Sequence, residues 1–250
     1  MTLEAFELQY VVHLVRPIGE RARDLEQLRA GLADASAQSL FYHTLQCQLR
    51  DPACEEQPPD DFSGWVNGVV QDRETAERMS FAVQSRNSSA EELRAALLEV
   101  LESIPRATRT ARHAPAEGEF LFLAGESVTV PSGMVVRDAT ELVDALAGAD
   151  FSVCFYHLIE QAWLPDKGPR LGGWLAARGE ERLARWLEES ATSGLPIQAM
   201  RRKLMRRWRR SHLGRRLADA AATPDNVRRE EERATVARLV RRITGPGEIP

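Results

Sequence analysis

Apolar positions along the chain show first the spacing of strands and then the spacing of helices. Phe6 and Leu8 alternate with polar residues, as do Phe120 and Phe122, and this alternation predicts a short strand at each place. Two later stripes of apolar residues have the four-residue spacing of one helical face. These stripes are Leu93, Leu97 and Leu101, and Met200, Leu204 and Trp208.

The pattern occurs twice in the chain, at a separation of 114 residues. Residues 17–43 align without a gap on residues 131–157, and 11 of the 27 positions are identical, far more than unrelated sequences would give. The identical pairs are Pro17/Pro131, Gly19/Gly133, Arg23/Arg137, Asp24/Asp138, Leu28/Leu142, Leu32/Leu146, Ala33/Ala147, Ala35/Ala149, Phe41/Phe155, Tyr42/Tyr156 and His43/His157. The alignment predicts a tandem duplication.

Acidic residues mark the predicted starts of helices. Asp24 and Asp138 each precede a helical apolar stripe, with Gln or Glu three residues later, so we interpret both as helix caps rather than catalytic acids. A second helix in each copy should carry the Phe-Tyr-His motif. In the first copy, Asp60 then begins a turn into a third helix that contains Trp65.

These elements predict an α+β protein that is predominantly α-helical. It consists of two homologous helical domains, each with a short N-terminal strand and related by an approximate two-fold axis, plus a C-terminal helix that begins near Thr223 with Pro in its first turn. The predicted boundaries are 1–104 for the first domain, 105–118 for a linker, 119–222 for the second domain and 223–250 for the C-terminal helix and tail.

Composition narrows the class of protein. With 43% hydrophobic and 28% charged residues, the chain has the balance of a globular protein. It contains no apolar run of membrane-spanning length and no N-terminal signal sequence, so we expect a cytoplasmic protein that does not enter the membrane. Its three cysteines occupy unmatched positions in the two copies, which predicts reduced thiols.

The first copy resembles an uncharacterised prokaryotic family, domain-of-unknown-function family 5752. The resemblance lies in Phe41-Tyr42-His43, in Asp60-Asp61-Phe62-Ser63 followed by Trp65, and in Glu91-Glu92-Leu93-Arg94. The second copy keeps Tyr156-His157 and Trp174 but has Arg170-Leu171-Gly172-Gly173 at the acidic turn. The resemblance supports the predicted domain and implies no chemistry.

The paired Tyr-His units are the candidate catalytic residues. His43 and His157, with Tyr42 and Tyr156 beside them, could exchange protons near neutral pH. The alternative, which we favour, is that each histidine is a half-buried helix residue bonded to backbone or to a carboxylate, which in the first copy would be Asp61.

A metal site is a weaker hypothesis. His43 and Cys47 share a helical face and Cys54 follows in a loop, but no fourth ligand is evident and Gln161 stands at the matching position of Cys47. The sequence also lacks phosphate-binding glycine loops and the established hydrolase and metalloprotease motifs. We therefore expect neither a metal nor a cofactor.

Charge is distributed unevenly. Residues 201–250 hold 15 basic and 6 acidic residues, a balance of +9, within a chain whose net charge is −4. The predicted basic helix 201–216 holds nine basic residues and no acid. Its candidate binding residues are Arg201, Arg202, Arg206, Arg207, Arg209 and Arg210. They could contact nucleic acid phosphates, or they could neutralise acidic neighbours such as Glu230, Glu231 and Glu232.

Three functions remain open at this stage. The favoured hypothesis is a non-enzymatic interaction or regulatory module that binds a macromolecular partner, most simply a protein, since duplication doubles a binding surface. The second is a nucleic-acid-binding accessory protein that uses the basic helix. The third is an enzyme that uses the paired Tyr-His units.

Overall fold

The computed structural model describes residues 4–49, 60–85, 89–164, 170–193 and 195–222, with side chains described up to Ser211. The chain divides after Arg202 into two compact units, Met1–Arg202 and Lys203–Pro250. The first unit contains both strands and nearly all the described helices, so it holds the first predicted half and most of the second. Among the described residues, no helix combines the length and the apolarity needed to cross a membrane.

The two strands pair with each other to form one long antiparallel ribbon. Strand β1 spans Phe6–Ala22 and strand β2 spans Phe120–Val136, and each is 17 residues long. Their register runs from Phe6 opposite Val136 to Ala22 opposite Phe120. The strands are longer than the short ones that we predicted. Their middle residues are largely exposed, so they show no alternation of buried and exposed positions, and they are strands because they pair with each other.

Each strand contains one bulge, and the glycines at the two bulges lie 114 residues apart. Between the pairs Glu7–Val135 and Gln9–Pro131, β2 has three residues where β1 has one. Gly133, at the centre of that insertion, has φ +76°, a left-handed conformation that favours glycine. The reverse bulge in β1 is centred on Gly19, with φ +88°.

The helices of the first half begin where acidic and hydroxyl side chains cap them. Asp24 accepts the amide hydrogen of Gln27, while the side chain of Gln27 accepts that of Arg23, so the predicted cap forms a reciprocal pair. Ser36 and Asp60 cap the helices that follow. The elements are α1 (Leu25–Asp34), α2 (Ala37–Thr44), a 3₁₀ turn (Gln46–Leu49), α3 (Asp61–Gly68), α4 (Arg73–Gln84), α5 (Ala90–Glu102) and α6 (Arg106–Ala111).

The second half repeats this start and then departs from it. Asp138 accepts the amide hydrogens of Thr140 and Glu141, which confirms the second predicted cap. The Phe-Tyr-His helix here contains a single π-helical turn, where the first half ends its helix and continues as a 3₁₀ turn. The elements are α7 (Ala139–Gly148), α8 (Phe151–Phe155), the π turn (Tyr156–Glu160), α9 (Gln161–Trp163), α10 (Leu171–Ala176), α11 (Glu181–Ala191) and α12 (Ile197–Ala222).

Each half takes part of its core from the strand of the other half. Phe120 and Phe122 of β2 belong to a buried cluster whose other members precede β2 in the chain, most of them on helices of the first half such as α1 and α5. Conversely, Phe6 of β1 packs against His157 and Trp174 of the second half, with ring centroids 5.6 and 5.5 Å apart. The strands are thus exchanged, and neither half has a complete core without the other.

The segment predicted as a linker, 105–118, contains helix α6. Its Arg109 side chain is buried, donates to two carbonyl oxygens at the end of α5 and forms an ion pair with Glu26. The segment is therefore packed against the first half. The predicted C-terminal helix and tail, 223–250, lie outside the described residues.

Candidate functional site

His43 uses both ring nitrogens to hold other parts of the chain. Its Nε2 accepts the backbone amide hydrogen of Leu123 at 2.8 Å. The ring proton therefore lies on Nδ1, which donates to Oδ2 of Asp61 at 2.8 Å, the contact that we predicted. The ring is buried between Phe62 and Phe120, at centroid distances of 5.2 and 4.8 Å.

His157 makes the matching contacts in the second half. Its Nε2 accepts the backbone amide hydrogen of Gln9 at 2.9 Å, and its Nδ1 lies 3.2 Å from Oε1 of Gln161. Burial lowers the pKa of His157 from 6.5 to about 4, so the ring is neutral at physiological pH. The ring proton again lies on Nδ1, because Nε2 serves as an acceptor.

The two histidines meet the ribbon at equivalent points. Gln9 stands opposite Pro131 and Leu123 stands opposite Pro17, in each case beside a bulge. A bulge interrupts the regular ladder of backbone hydrogen bonds, so an amide beside it needs another acceptor. Each histidine supplies that acceptor to the strand of the opposite half.

The motif tyrosines lie within the same packing. Tyr42 and Tyr156 each contact the following histidine edge-on, with ring centroids 4.9 Å apart. Tyr156 is fully buried, and burial raises its pKa. Among the described residues, the structure therefore brings the four candidate catalytic residues together as two separate Tyr-His units, each built into the core.

A buried polar pair that we did not predict lies under the middle of the ribbon. Nε2 of His13 is 3.0 Å from Oε2 of Glu160, and the two side chains are 11% and 0% exposed. The second carboxylate oxygen, Oε1, is buried and has no hydrogen-bond partner among the described residues. Glu160 is the last residue of the π turn, which directs it toward β1.

Gln46 occupies the place in the first half that Glu160 occupies in the second. Both polar atoms of its side chain are buried and lack hydrogen-bond partners in the described part of the chain. It packs so closely on Gly125 that a Cβ atom at that glycine would lie 2.5 Å from Oε1 of Gln46. The sequence signal for this site was a charged residue directly after Leu158-Ile159, where the alignment of the two halves at a separation of 114 residues places the amide Gln46.

The proposed zinc ligands do not converge in the described chain. The thiol of Cys47 donates to the carbonyl of Thr44, and both nitrogens of His43 are occupied as described above. Within the described ranges, no three His, Cys, Asp or Glu side chains are placed to hold a metal ion. Cys54 lies outside those ranges.

The basic helix is the first part of α12. Arg201 is half-buried and donates to the carbonyl of Ala147, whereas the other five candidate arginines are exposed. Leu204 and Trp208, on the intervening positions, are buried. The acidic residues at 230–232, which we considered as neutralising partners, lie outside the described residues.

The middle of the ribbon also has an exposed apolar face. Val12, Leu14 and Val128 are 46%, 58% and 44% exposed. Val12 pairs with Val128 and Leu14 pairs with Glu126, so these side chains project from one face, opposite to the face that carries His13.

Comparison with known proteins identifies the family. A family model described as "Family of unknown function (DUF5752)" matches residues 3–209. The chain belongs to this family. The DUF5752 match runs through both halves and includes α12 as far as Arg209.

The fold also occurs in a solved structure. OrfY from Thermoproteus tenax is similar to this DUF5752 chain with a TM-score of 0.65 and 22% sequence identity, over 81% of this chain and 93% of OrfY. At that identity the similarity shows the fold alone. No curated protein matches the chain.

Proposed function

We propose that this protein is a non-enzymatic interaction module that binds a protein partner. The observation that carries the proposal is the use of both ring nitrogens of His43 and of His157 in holding the exchanged strands. A general base or a nucleophile-activating histidine needs a nitrogen directed at the substrate. In this geometry the two motif histidines hold the fold together and leave no ring nitrogen directed at a substrate.

The proposal includes a tandem duplication, with repeats in 1–104 and 119–222 joined by 105–118. The support is that matched residues make matched contacts across the ribbon. His43 accepts a hydrogen bond from the amide of Leu123, and His157, 114 residues later, accepts one from the amide of Gln9, 114 residues before Leu123. The register places His13 opposite Ser127, its own counterpart in the repeat, so a two-fold axis would pass through this pair.

The exposed ribbon face supports binding to a protein. Apolar side chains that remain exposed on the face of a sheet favour contact with another macromolecule over contact with water. Val12, Leu14 and Val128 form such a group. We also propose a cytoplasmic location, which agrees with the unbridged, buried thiol of Cys154.

Affinity capture from the native host tests the proposal. Three baits are compared: the full chain, Leu14→Lys, and the control Phe81→Lys, which changes another apolar side chain, 76% exposed, on α4. We expect a defined protein to bind the full chain and Phe81→Lys after nuclease treatment, and to be lost with Leu14→Lys. Equal capture by all three baits, or metabolite turnover that a folded His43→Phe variant lacks, would overturn the proposal.

A second candidate function is nucleic-acid binding through α12. The specific observation is that Arg206, Arg207 and Arg210 are exposed on one helix. Each arginine that contacts a phosphate should add to the salt dependence of affinity. Reversing these three charges should weaken RNA or DNA binding and flatten that dependence, whereas Arg73→Glu on α4 should not. Absence of binding at low salt excludes this function.

A further inference from the structure

The exposed middle of the ribbon carries two charges of opposite sign that form no ion pair with another described residue. We define the outer ribbon face as Val12, Leu14, Arg16, Glu126 and Val128. Strand alternation places Arg16 on the same face as Val12 and Leu14, and the pairing of Leu14 with Glu126 places the carboxylate there as well. All five side chains are exposed.

The two charges are not neutralised by the described part of the chain. None of the ion pairs formed among those residues includes Arg16 or Glu126. Arg16 faces Ala124 across the ribbon, so it is a diagonal neighbour of Glu126. Diagonal neighbours on a sheet are separated by about 7–8 Å, and Arg16 and Glu126 do not form an ion pair with each other.

We propose that the outer ribbon face binds a second copy of this chain. This inference rests on the proposed function and names the partner at this face. A two-fold axis that lies in the plane of the face and passes between Arg16 and Glu126 would exchange the two positions. Each arginine would then lie over the partner copy's carboxylate, and Leu14 would pack near the axis.

The composition of the face favours a second copy over other partners. A nucleic acid would select for arginines without a carboxylate, and an acidic membrane surface would do the same. A face with one charge of each sign beside an apolar centre is complementary to itself, because two-fold symmetry brings each residue to the place of its opposite. Leu14, the most exposed large apolar residue of the ribbon, neighbours both charges, since it lies opposite Glu126 and two residues before Arg16.

Sedimentation equilibrium of the purified full chain, over a wide range of concentration, tests the inference. We expect a monomer–dimer equilibrium in which Leu14→Lys raises the dimer Kd about tenfold or more. Arg16→Glu and Glu126→Arg should each weaken the dimer, and the double variant should restore it because the two charges are only exchanged. Phe81→Lys should leave Kd unchanged. Circular dichroism confirms that each variant is folded.

The outcomes separate this inference from the proposed function. A wild-type chain that stays monomeric overturns the inference, as does a dimer that Leu14→Lys leaves intact or a double variant that is weaker than both single ones. Native-host capture is read independently by mass spectrometry. Recovery of untagged copies of this chain supports the inference. Recovery of a different protein by a bait that is itself monomeric supports the proposed function and contradicts the inference that the partner is a second copy.

Discussion

The substitution His43→Phe separates a structural histidine from a catalytic one. Phenylalanine keeps an aromatic ring among Phe62 and Phe120 but has no acceptor for the amide of Leu123. If the contact is structural, the variant should lose stability. If His43 serves catalysis, removing it should cost little, since functional residues are seldom optimal for stability.

The magnitude follows from the two hydrogen bonds. A buried amide that loses its acceptor costs about 1–3 kcal/mol. Asp61 is 26% exposed, so water can solvate its carboxylate after the bond to His43 is lost, and this contribution is small. We therefore expect His43→Phe to reduce the free energy of unfolding by about 1–3 kcal/mol. His43→Ala should reduce the free energy of unfolding further, because removing the buried ring leaves a cavity that costs about 3 kcal/mol or more.

Urea unfolding followed by circular dichroism measures this loss, provided that the dependence on urea concentration has the same slope in both proteins. Amide hydrogen exchange gives a local check, because the amide of Leu123 should exchange faster in the variant. The matched control is His113→Phe at an exposed histidine, which should change stability by less than about 0.5 kcal/mol. A loss for His43→Phe no larger than that of the control, with exchange at Leu123 unchanged, would refute the structural role.

Three other predictions test the ribbon and what lies beneath it. Gly133→Ala should reduce the free energy of unfolding by about 1–2 kcal/mol, because alanine is strained at φ +76°. The control Gly148→Ala, where an added Cβ on α7 meets open space, should not destabilise the protein, and thermal unfolding measures both variants. His13→Ala leaves Glu160 buried and unpaired, so a loss of about 3–5 kcal/mol in urea unfolding is expected, and a loss below about 1 would contradict the buried pair. Because burial depresses the pKa of His157 to about 4, its neutral ring contributes stability above pH 6.5 that is lost as pH falls toward 4, about 3 kcal/mol in all. The stability advantage of wild type over His157→Phe should shrink across that range, and an advantage independent of pH would show that the ring does not resist protonation.

Local signals explain what the sequence predicted well. The caps at Asp24 and Asp138 depend on residues three positions away, and the structure has both. The stripe Leu93, Leu97 and Leu101 is buried as one helical face of α5, as expected. Such features are determined within one or two helical turns, so they can be read without knowledge of the tertiary fold.

The exchange of strands could not be predicted in the same way. The alternation at Phe120 and Phe122 indicates a strand with one buried face, but the same pattern would be satisfied by the core of either half. The choice depends on pairing between residues more than 100 positions apart. The length of the ribbon was missed for a related reason, since its exposed middle has no buried face to produce a periodic signal.

The partners of the motif histidines were predicted in part. Asp61 lies close to His43 in sequence, one helix farther on, and it was identified as a carboxylate partner. The amide of Leu123 lies 80 residues away and becomes a partner only through the exchanged strand. The π turn could not be predicted either. Its hydrogen bonds span five residues where those of an α-helix span four, and a single such turn leaves no distinct pattern of apolar positions in the sequence.

The proposed duplication also explains why the two halves differ beneath the centre of the ribbon. Gln46 packs over Gly125, and Glu160 meets His13, which is a diagonal neighbour of Gly125 across the ribbon. Diagonal neighbours lie about 7–8 Å apart, so two identical halves would bury two like groups close to the two-fold axis. Two carboxylates there would repel each other, and one would be forced to bind a proton. The present arrangement avoids that cost, because Gln46 lies on one side of the proposed axis and only Glu160, which contacts His13, lies on the other. The matched histidine contacts hold the exchanged strands in place, and the difference between the halves at the proposed axis allows one histidine–carboxylate pair to be buried there.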